Sequence, residues 1–343
     1  MRKKILLFGE LLLRLEAPGY NRILQNNTLN ATFCGAEANV AVSLANFNEE
    51  VTFVTKLPDN SIGIAAIQNL RSFGINTSCC LLDDGRLGIF FLERGISQRP
   101  SKIIYDRKNS CIALSNTEDF DWDFLFDDIQ WFHWTGITPA LSENLFKILI
   151  EACKIAKQKG IFVSCDLNYR STLWAEEEAQ FKMQQLMQYV DLCIGNEEDA
   201  EKVLGIKKAH VNVEHCQLDI ESYIDTAKEI CHKYNCQYVA FTLRKSYSAN
   251  YNGWQGMFYD HKTQEHYLSQ EYNIQIVDRV GGGDSFAAGL IYGLINGQEY
   301  QKVIDFAVAA SCLKHTIEGD FNRVTINEVN ELIKNNGNGR ICR

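Results

Sequence analysis

No stretch of this sequence approaches the roughly 18 uncharged apolar residues that a membrane-spanning helix needs, so no spanning segment is expected. Positive charge is also in short supply. Lys and Arg total 34 against 43 Asp and Glu, a formal charge of −9. The broad positive field that non-specific nucleic-acid binding relies on is therefore missing, and nucleic acid is a poor partner. No two cysteines have C-x-x-C spacing, although twelve are spread over the 343 residues. Several sit inside apolar runs such as Phe162-Val163-Ser164-Cys165, so they read as small hydrophobes of a cytoplasmic chain and not as a disulfide framework. His210, His215, Cys216, Cys231, His232 and Cys236 gather in one region, but their spacings match no standard zinc module and no metal site is expected there. The start is basic and then apolar, Met1-Arg2-Lys3-Lys4 before Ile5-Leu6-Leu7-Phe8, like a secretory signal. Gly9-Glu10 and Arg14 interrupt it with no small-residue cleavage site, which predicts a buried first strand instead. There is no internal repeat, and only four prolines occur.

What is present is apolar material enough for a core: 46% hydrophobic against 22% charged residues, which excludes wholesale disorder. Short apolar runs at Lys4–Phe8, Val51–Lys56, Phe162–Asp166, Leu192–Gly195 and Tyr238–Leu243 alternate with helical patterns such as Glu37–Phe47, Ile62–Phe73 and Leu145–Lys159. That alternation predicts an α/β fold with a mostly parallel central sheet and helices on both faces. Two regions break the rhythm, about 11–34 and 86–113. They are strand-rich with breaks near Gly95 and Pro100, and predict a small β-strand lid off the main sheet. Residues 1–334 read as a single domain, Ile206–Glu221 as a polar surface insertion, and 335–343 as a disordered tail.

The most informative segment is Asp278-Arg279-Val280-Gly281-Gly282-Gly283-Asp284, which follows a strand-like stretch and leads into a helix with Phe286, Leu290 and Leu294 on one face. Glycines at a strand-to-helix turn let backbone approach an anion, and the free N–H groups and helix dipole favour negative charge. Asp284 would be repelled by a phosphate. It makes sense as a base taking a proton from an attacking hydroxyl, or as an ordinary helix N-cap. The segment is neither a Walker A loop nor a G-x-G-x-x-G turn. A second segment, Gly35-Ala36-Glu37-Ala38-Asn39-Val40-Ala41, puts a glycine before a small-residue helix whose Asn39 could bond a polyol or simply pack.

Together the two segments resemble the paired signatures of the ribokinase-like carbohydrate kinases of the phosphofructokinase B type, and the resemblance covers nearly the whole chain. Tyr105-Asp106-Arg107, Asp166-Leu167-Asn168-Tyr169-Arg170, Gly195-Asn196-Glu197-Glu198-Asp199 and the run Leu313–Asn322 resemble the 2-keto-3-deoxygluconate kinase branch. The resemblance implies a ribokinase-like fold and an ATP- and magnesium-dependent transfer of the γ-phosphate to the terminal 6-hydroxyl of a sugar acid. Fructokinase or ribokinase activity is the nearest alternative. A non-catalytic sugar-binding relative would be expected to lack Asp284 or its glycines, and a nicotinamide dehydrogenase would need a glycine-rich turn that Gly9-Glu10-Leu11 does not offer.

Carried over by resemblance, Asp284 is the base and Gly281, Gly282 and Gly283 form the anion hole. Gly35 and Asn39 contact substrate hydroxyls, and Tyr105, Arg107 and Arg170 hold the far end. The planar forks of two arginines suit a carboxylate, which a neutral sugar does not carry. Asn196 and Asp199 organise magnesium through water, although the family motif has Glu where Asp199 stands. Thr242 and Arg244 lie near the ATP phosphates, in a segment, Thr242–Ser248, that lacks the lysine-glycine turn of many relatives. Ala309–His315 contributes to the adenine pocket. Asp278 is placed where relatives hold a monovalent cation such as potassium. The resemblance also implies a homodimer formed through the lid.

Overall fold

The computed structural model describes residues 3–206 and 219–335. Its first strand, β1 (Lys4–Phe8), is buried on both faces, and its side chains alternate between two cores. Leu6 and Phe8 face one, Ile5 and Leu7 the other, as the two-residue period of a strand requires. The chain then leaves the main sheet for β2 (Leu12–Glu16) and β3 (Asn30–Cys34) and enters α1 (Ala36–Asn46). It returns in β4 (Glu50–Val54), which pairs in parallel with β1. A short β5 (Lys56–Pro58), α2 (Ser61–Arg71) and β6 (Leu81–Asp83) follow, β5 and β6 pairing with each other. Next come β7 (Gly88–Glu93) and β8 (Lys102–Asp106), again off the main sheet.

From α3 (Trp122–Leu125) the chain alternates regularly: β9 (Ile129–Thr135), α4 (Glu143–Gln158), β10 (Phe162–Asp166), α5 (Glu176–Met187), β11 (Leu192–Gly195), α6 (Glu197–Leu204), α7 (Ile220–Tyr234) and β12 (Tyr238–Ser248). Helix α4 illustrates why. Leu145, Ile148, Leu149, Ala152, Cys153 and Ala156 fall on one buried face, and the Ser142 hydroxyl caps its start by accepting from the Leu145 N–H at 3.2 Å. An antiparallel flank closes the sheet, β13 (Tyr251–Asp260), β14 (Glu265–Leu268) and β15 (Tyr272–Gln275), before α8 (Gly282–Ile295), α9 (Tyr300–Lys314) and α10 (Ile326–Asn335).

The main sheet has nine strands in the order β14-β13-β12-β11-β10-β9-β1-β4, with β15 also on β13. All pairings from β4 to β12 are parallel, so the expected mostly parallel sheet is present. One core lies under α4, α5, α6 and α7, and the other under α1, α8 and α9. The two strand-rich regions form a separate four-stranded sheet, β3-β2-β7-β8, with a small core of its own at Leu12, Cys34, Phe90 and Leu92. Its outer strand β8 is exposed, including Ile103 and Ile104.

Three sequence expectations change. The apolar run Val51–Lys56 is split, because the chain leaves the main sheet at Thr55. Residues 107–113 belong to a turn and a 3-10 segment and not to the lid strands. Of the three glycines expected to lead into a helix, Gly282 and Gly283 already belong to its first turn, since α8 starts at Gly282. The proposed insertion and tail fall largely outside the described residues, as do His210, His215 and Cys216. Cys231 and Cys236 are buried, and among the described residues no three His, Cys, Asp or Glu side chains converge as metal ligands. The described cysteines are free thiols. No helix among the described residues is long and apolar enough to cross a membrane.

Candidate active site

In a parallel sheet the strand ends that face one way carry the ligand site, because loops and helix N-termini converge there. Glu10 follows β1, Asp166 ends β10, Asn196 follows β11, and all three open onto one cleft of about 630 Å³ under the four-stranded lid. A second cleft of about 340 Å³ continues from it along β12. Asp166, Arg170, Asn196, Asp199 and Gly283 line both.

The N-terminus of α8 lies at this junction. Gly281 is left-handed at φ +83°, and a Cβ there would lie 2.1 Å from the Asp320 carbonyl oxygen, so no other residue fits. Gly281 is the N-cap and Asp284 the third helical residue, so Asp284 is no cap of its own helix. The Gly282 N–H reaches back to the Arg279 carbonyl at 3.4 Å, whereas the next N–H groups, of Gly283 and Asp284, come before the first i−4 bond of the helix and are left for an anion. Gly281 and Gly283 line the larger cleft, whereas Gly282 is buried and packs on His315.

Asp284 lines the larger cleft although it is almost wholly buried. Burial raises its pKa to about 7, against the Asn39 hydrogen bond and with the Asp320 charge adding to the rise. A carboxylate with that pKa can hold or release a proton near neutrality. The Asn39 Nδ2 donates to Asp284 Oδ2 at 2.6 Å, and its Oδ1 accepts weakly from the Gly35 N–H at 3.4 Å. Asn39, expected on substrate hydroxyls, lines the larger cleft and also orients Asp284. Gly35 stands where a Cβ would come 2.1 Å from the Glu10 carbonyl oxygen, letting α1 start hard against the end of β1.

Tyr105 and Arg107 project from the lid into the larger cleft, with the Arg107 guanidinium 5.1 Å from the Tyr105 ring centre. Arg107 is not a free cation. Its Nε donates to Glu10 Oε2 at 2.7 Å and its Nη2 donates to the same oxygen, while Ser110 bonds Glu10 Oε1 at 2.6 Å. Arg170 is half-buried where the two clefts meet and donates to the Tyr169 carbonyl at 2.8 Å. Its charge lowers the pKa of Asp284, Asp166 and Asp199.

Asn196 caps α6 by accepting from the Asp199 N–H at 2.9 Å, which turns the Asp199 carboxylate toward the Tyr169 N–H at 3.1 Å. Burial lifts Asp199 to about 6, and burial plus the Asp199 and Asp284 charges lift Asp166. Two such carboxylates on one cleft wall suit a hard dication that prefers oxygen ligands. Thr242, Arg244 and His315 line the smaller cleft. Thr242 and Arg244 lie in β12 itself, which runs through the whole segment lacking the lysine-glycine turn. Of Ala309–His315 only His315 lines that cleft; Ala309, Ala310, Ser311 and Lys314 are buried in α9, and Cys312 and Leu313 are half-buried. Burial pushes His315 down to about 4, so its imidazole is neutral, with Nδ1 2.7 Å from the Ser311 carbonyl.

Asp278, expected to face a monovalent cation, has both carboxylate oxygens engaged. Oδ1 accepts from the Val280 N–H at 3.1 Å, and Oδ2 accepts from the Gly319 N–H at 3.0 Å and from Arg14. Sequence reasoning gave no site role to Arg14 or to its other partners Glu16 and Asp320, nor to Glu10 and Asp166. Asp166 lies at the head of the Asp166–Arg170 segment and was the one with a readable signal.

Comparison with known proteins adds three findings. The model of the pfkB family of carbohydrate kinases matches residues 2–324. A 2-dehydro-3-deoxygalactonokinase of Haloferax volcanii is 29% identical over 97% of this chain and 98% of its own. The crystal structure of a 2-dehydro-3-deoxygluconokinase from Thermotoga maritima superposes with a TM-score of 0.92 at 48% identity, covering 97% of this chain and 99% of that one.

Proposed function

Because this chain belongs to the pfkB family of carbohydrate kinases, we propose that its two clefts bind a 2-keto-3-deoxy sugar acid and ATP, and that it phosphorylates the terminal 6-hydroxyl of 2-keto-3-deoxygluconate. The observation that carries the reading is Asp284, a buried carboxylate with a pKa of about 7 beside an open helix N-terminus where the clefts join. The sugar lies in the larger cleft with its terminal hydroxyl toward Asp284, which takes the proton as the phosphoryl group leaves the nucleotide. The first-turn N–H groups of α8 meet the charge that develops on the transferring group. Arg107 and Arg170 hold the sugar acid's carboxylate, and Tyr105 packs against its chain. The nucleotide phosphates lie along Thr242 and Arg244, with His315 lining the same cleft. Asp166 and Asp199, the latter with Asn196 through water, would hold magnesium, which neutralises phosphate charge when bound. Free thiols among the described residues suit the reducing cytoplasm.

A second reading has its own support. Glu10 already balances Arg107, as a site for a neutral sugar such as fructose or ribose would allow. ADP release measured with magnesium across 2-keto-3-deoxygluconate, its galactonate epimer, fructose, ribose and adenosine separates the two. Turnover confined to the keto-deoxy acids is expected. Preference for fructose or ribose would retire the carboxylate role of the arginines, and silence on all five would retire catalysis.

The exposed outer strand β8 is paired on one side only, with β7, and has two exposed isoleucines, which a second copy of the lid would cover. A homodimer is therefore expected, and light scattering after size exclusion should give twice 39.1 kDa. A particle of the monomer mass would remove the lid-pairing model.

A further inference from the structure

A turn that aims a backbone carbonyl into the interior needs a donor to meet it, since an unpaired buried carbonyl is costly. The Asp278–Gly283 turn does this at Asp278. Its carbonyl accepts from the Nζ of Lys314, the last residue of α9, at 3.2 Å. Lys314 has no exposed surface. The backbone N–H groups of Val277 and Asp278 both donate to the His315 carbonyl, at 2.8 and 3.2 Å, so the end of α9 and the anion-hole turn are held together at this point.

Lys314 belongs to a buried set of charges of both signs. Arg14, Arg94 and Lys314 face Glu16, Asp278 and Asp320, all six of them 9% exposed or less. Arg14 pairs with Glu16, Asp278 and Asp320, and Arg94 pairs with Glu16. Burial, helped by the Arg14 charge, holds the Lys314 ammonium below the usual lysine range, while Asp278, Asp320 and Asp284 pull against that fall. Without its charge the buried carboxylates of Asp278 and Asp320 would keep only arginine partners out of reach of water, and buried charge short of a counter-ion is costly.

A potassium ion does not fit here. The carboxylate of Asp278 is taken by Arg14 and two N–H groups, and its carbonyl by an ammonium. An ammonium has the charge of potassium and nearly its size, but it arrives on a covalent tether. We propose that Lys314 is the resident monovalent cation of this enzyme, a positioning residue that fixes the anion-hole turn, and that catalysis therefore needs no potassium. The proposal rests on the kinase reading for what the turn does, but not for whether a cation binds there.

The test compares the wild type with Lys314→Ala, which opens room for an ion, and Lys314→Met, which keeps the apolar stem without the charge. Rates are read in tetramethylammonium buffer as potassium or ammonium is added, and melting temperatures are taken in the same buffers. The wild-type rate is expected to change by less than about twofold, and its melting temperature not to respond to potassium. Lys314→Ala should lose at least about tenfold in kcat with the sugar KM nearly unchanged. Potassium or ammonium should restore its rate and raise its melting temperature, and Lys314→Met should respond less. Severalfold activation of the wild type by potassium would overturn the proposal, as would a full-rate alanine variant without added cation. So would loss of rate with no response to cations in either readout, which is what a mere packing role predicts. If neither variant folds, the wild-type titration decides alone. If no sugar is turned over at all, the kinase reading has failed while the melting comparison still judges Lys314.

Discussion

Asp284→Asn is expected to lower kcat by about 10³-fold, with binding of both substrates and the fold retained. The side chain keeps its size and can still accept from Asn39, so geometry is preserved while the ability to take a proton is removed. Two further readouts tie the loss to proton transfer. First, wild-type kcat/KM should rise with pH around a midpoint near 7, because below it Asp284 is protonated and cannot act as a base. Asn39→Ala removes a hydrogen bond that favours the carboxylate, so the midpoint should move up, by about one unit if that bond has the usual strength for a charged acceptor. Second, a carboxylate whose pKa is raised by folding is a stability cost. That cost is absent below the ordinary value of 3.8, grows as pH rises toward about 7, and is constant above. At neutral pH the Asn variant should therefore melt at or above the wild-type temperature. A residual rate within tenfold of wild type, or a pH limb that Asn39→Ala leaves in place, would rule out Asp284 as the base.

The glycine turn and Asp284 were legible because everything that makes them chemical is contiguous: a strand end, three glycines, an acid, and a periodic helix. The same holds for the central sheet, where each strand is a short apolar run whose order along the chain dictates parallel pairing with crossover helices. What escaped depends on partners far apart in sequence. That Asn39 orients Asp284 could not be read, because only the fold brings Asp284, 245 residues away, within 2.6 Å of its amide. Arg14 sits in an unremarkable strand, and only the fold sets it against Asp278 and Asp320. Lys314 looks like the basic last turn of a helix, a common surface feature, until α9 is seen to run its end into the interior. Strand content of the lid could be read from residues, but the order β3-β2-β7-β8, which sets β2 beside β7 in parallel, could not.

Arg107 and Arg170, both on the larger cleft, should fail in different ways. Arg107→Ala is expected to cost about 10²-fold in kcat/KM for the sugar acid, mostly through KM, with turnover of any neutral sugar little changed. Much of this loss would come from Glu10, since removing Arg107 leaves a carboxylate only 2% exposed without its cation, facing an incoming anion. Glu10→Gln in the same chain should therefore recover part of the affinity, whereas a clamp that acted through Arg107 alone would gain nothing from it. Arg170→Ala should cost as much or more and act through kcat as well, because this guanidinium borders both clefts and its charge lowers the Asp284 pKa. Its loss should move the ascending pH limb upward, and Arg107→Ala should leave that limb where it is. Steady-state kinetics on the keto-deoxy acid, with full pH profiles for both variants and the double, distinguish these outcomes. An unchanged KM for the acid in both single variants would mean that its carboxylate points elsewhere. The cleft would then have to recognise its substrate through hydroxyl contacts, with the Glu10–Arg107 pair acting as a buried strut that ties the lid strand β8 to the end of β1.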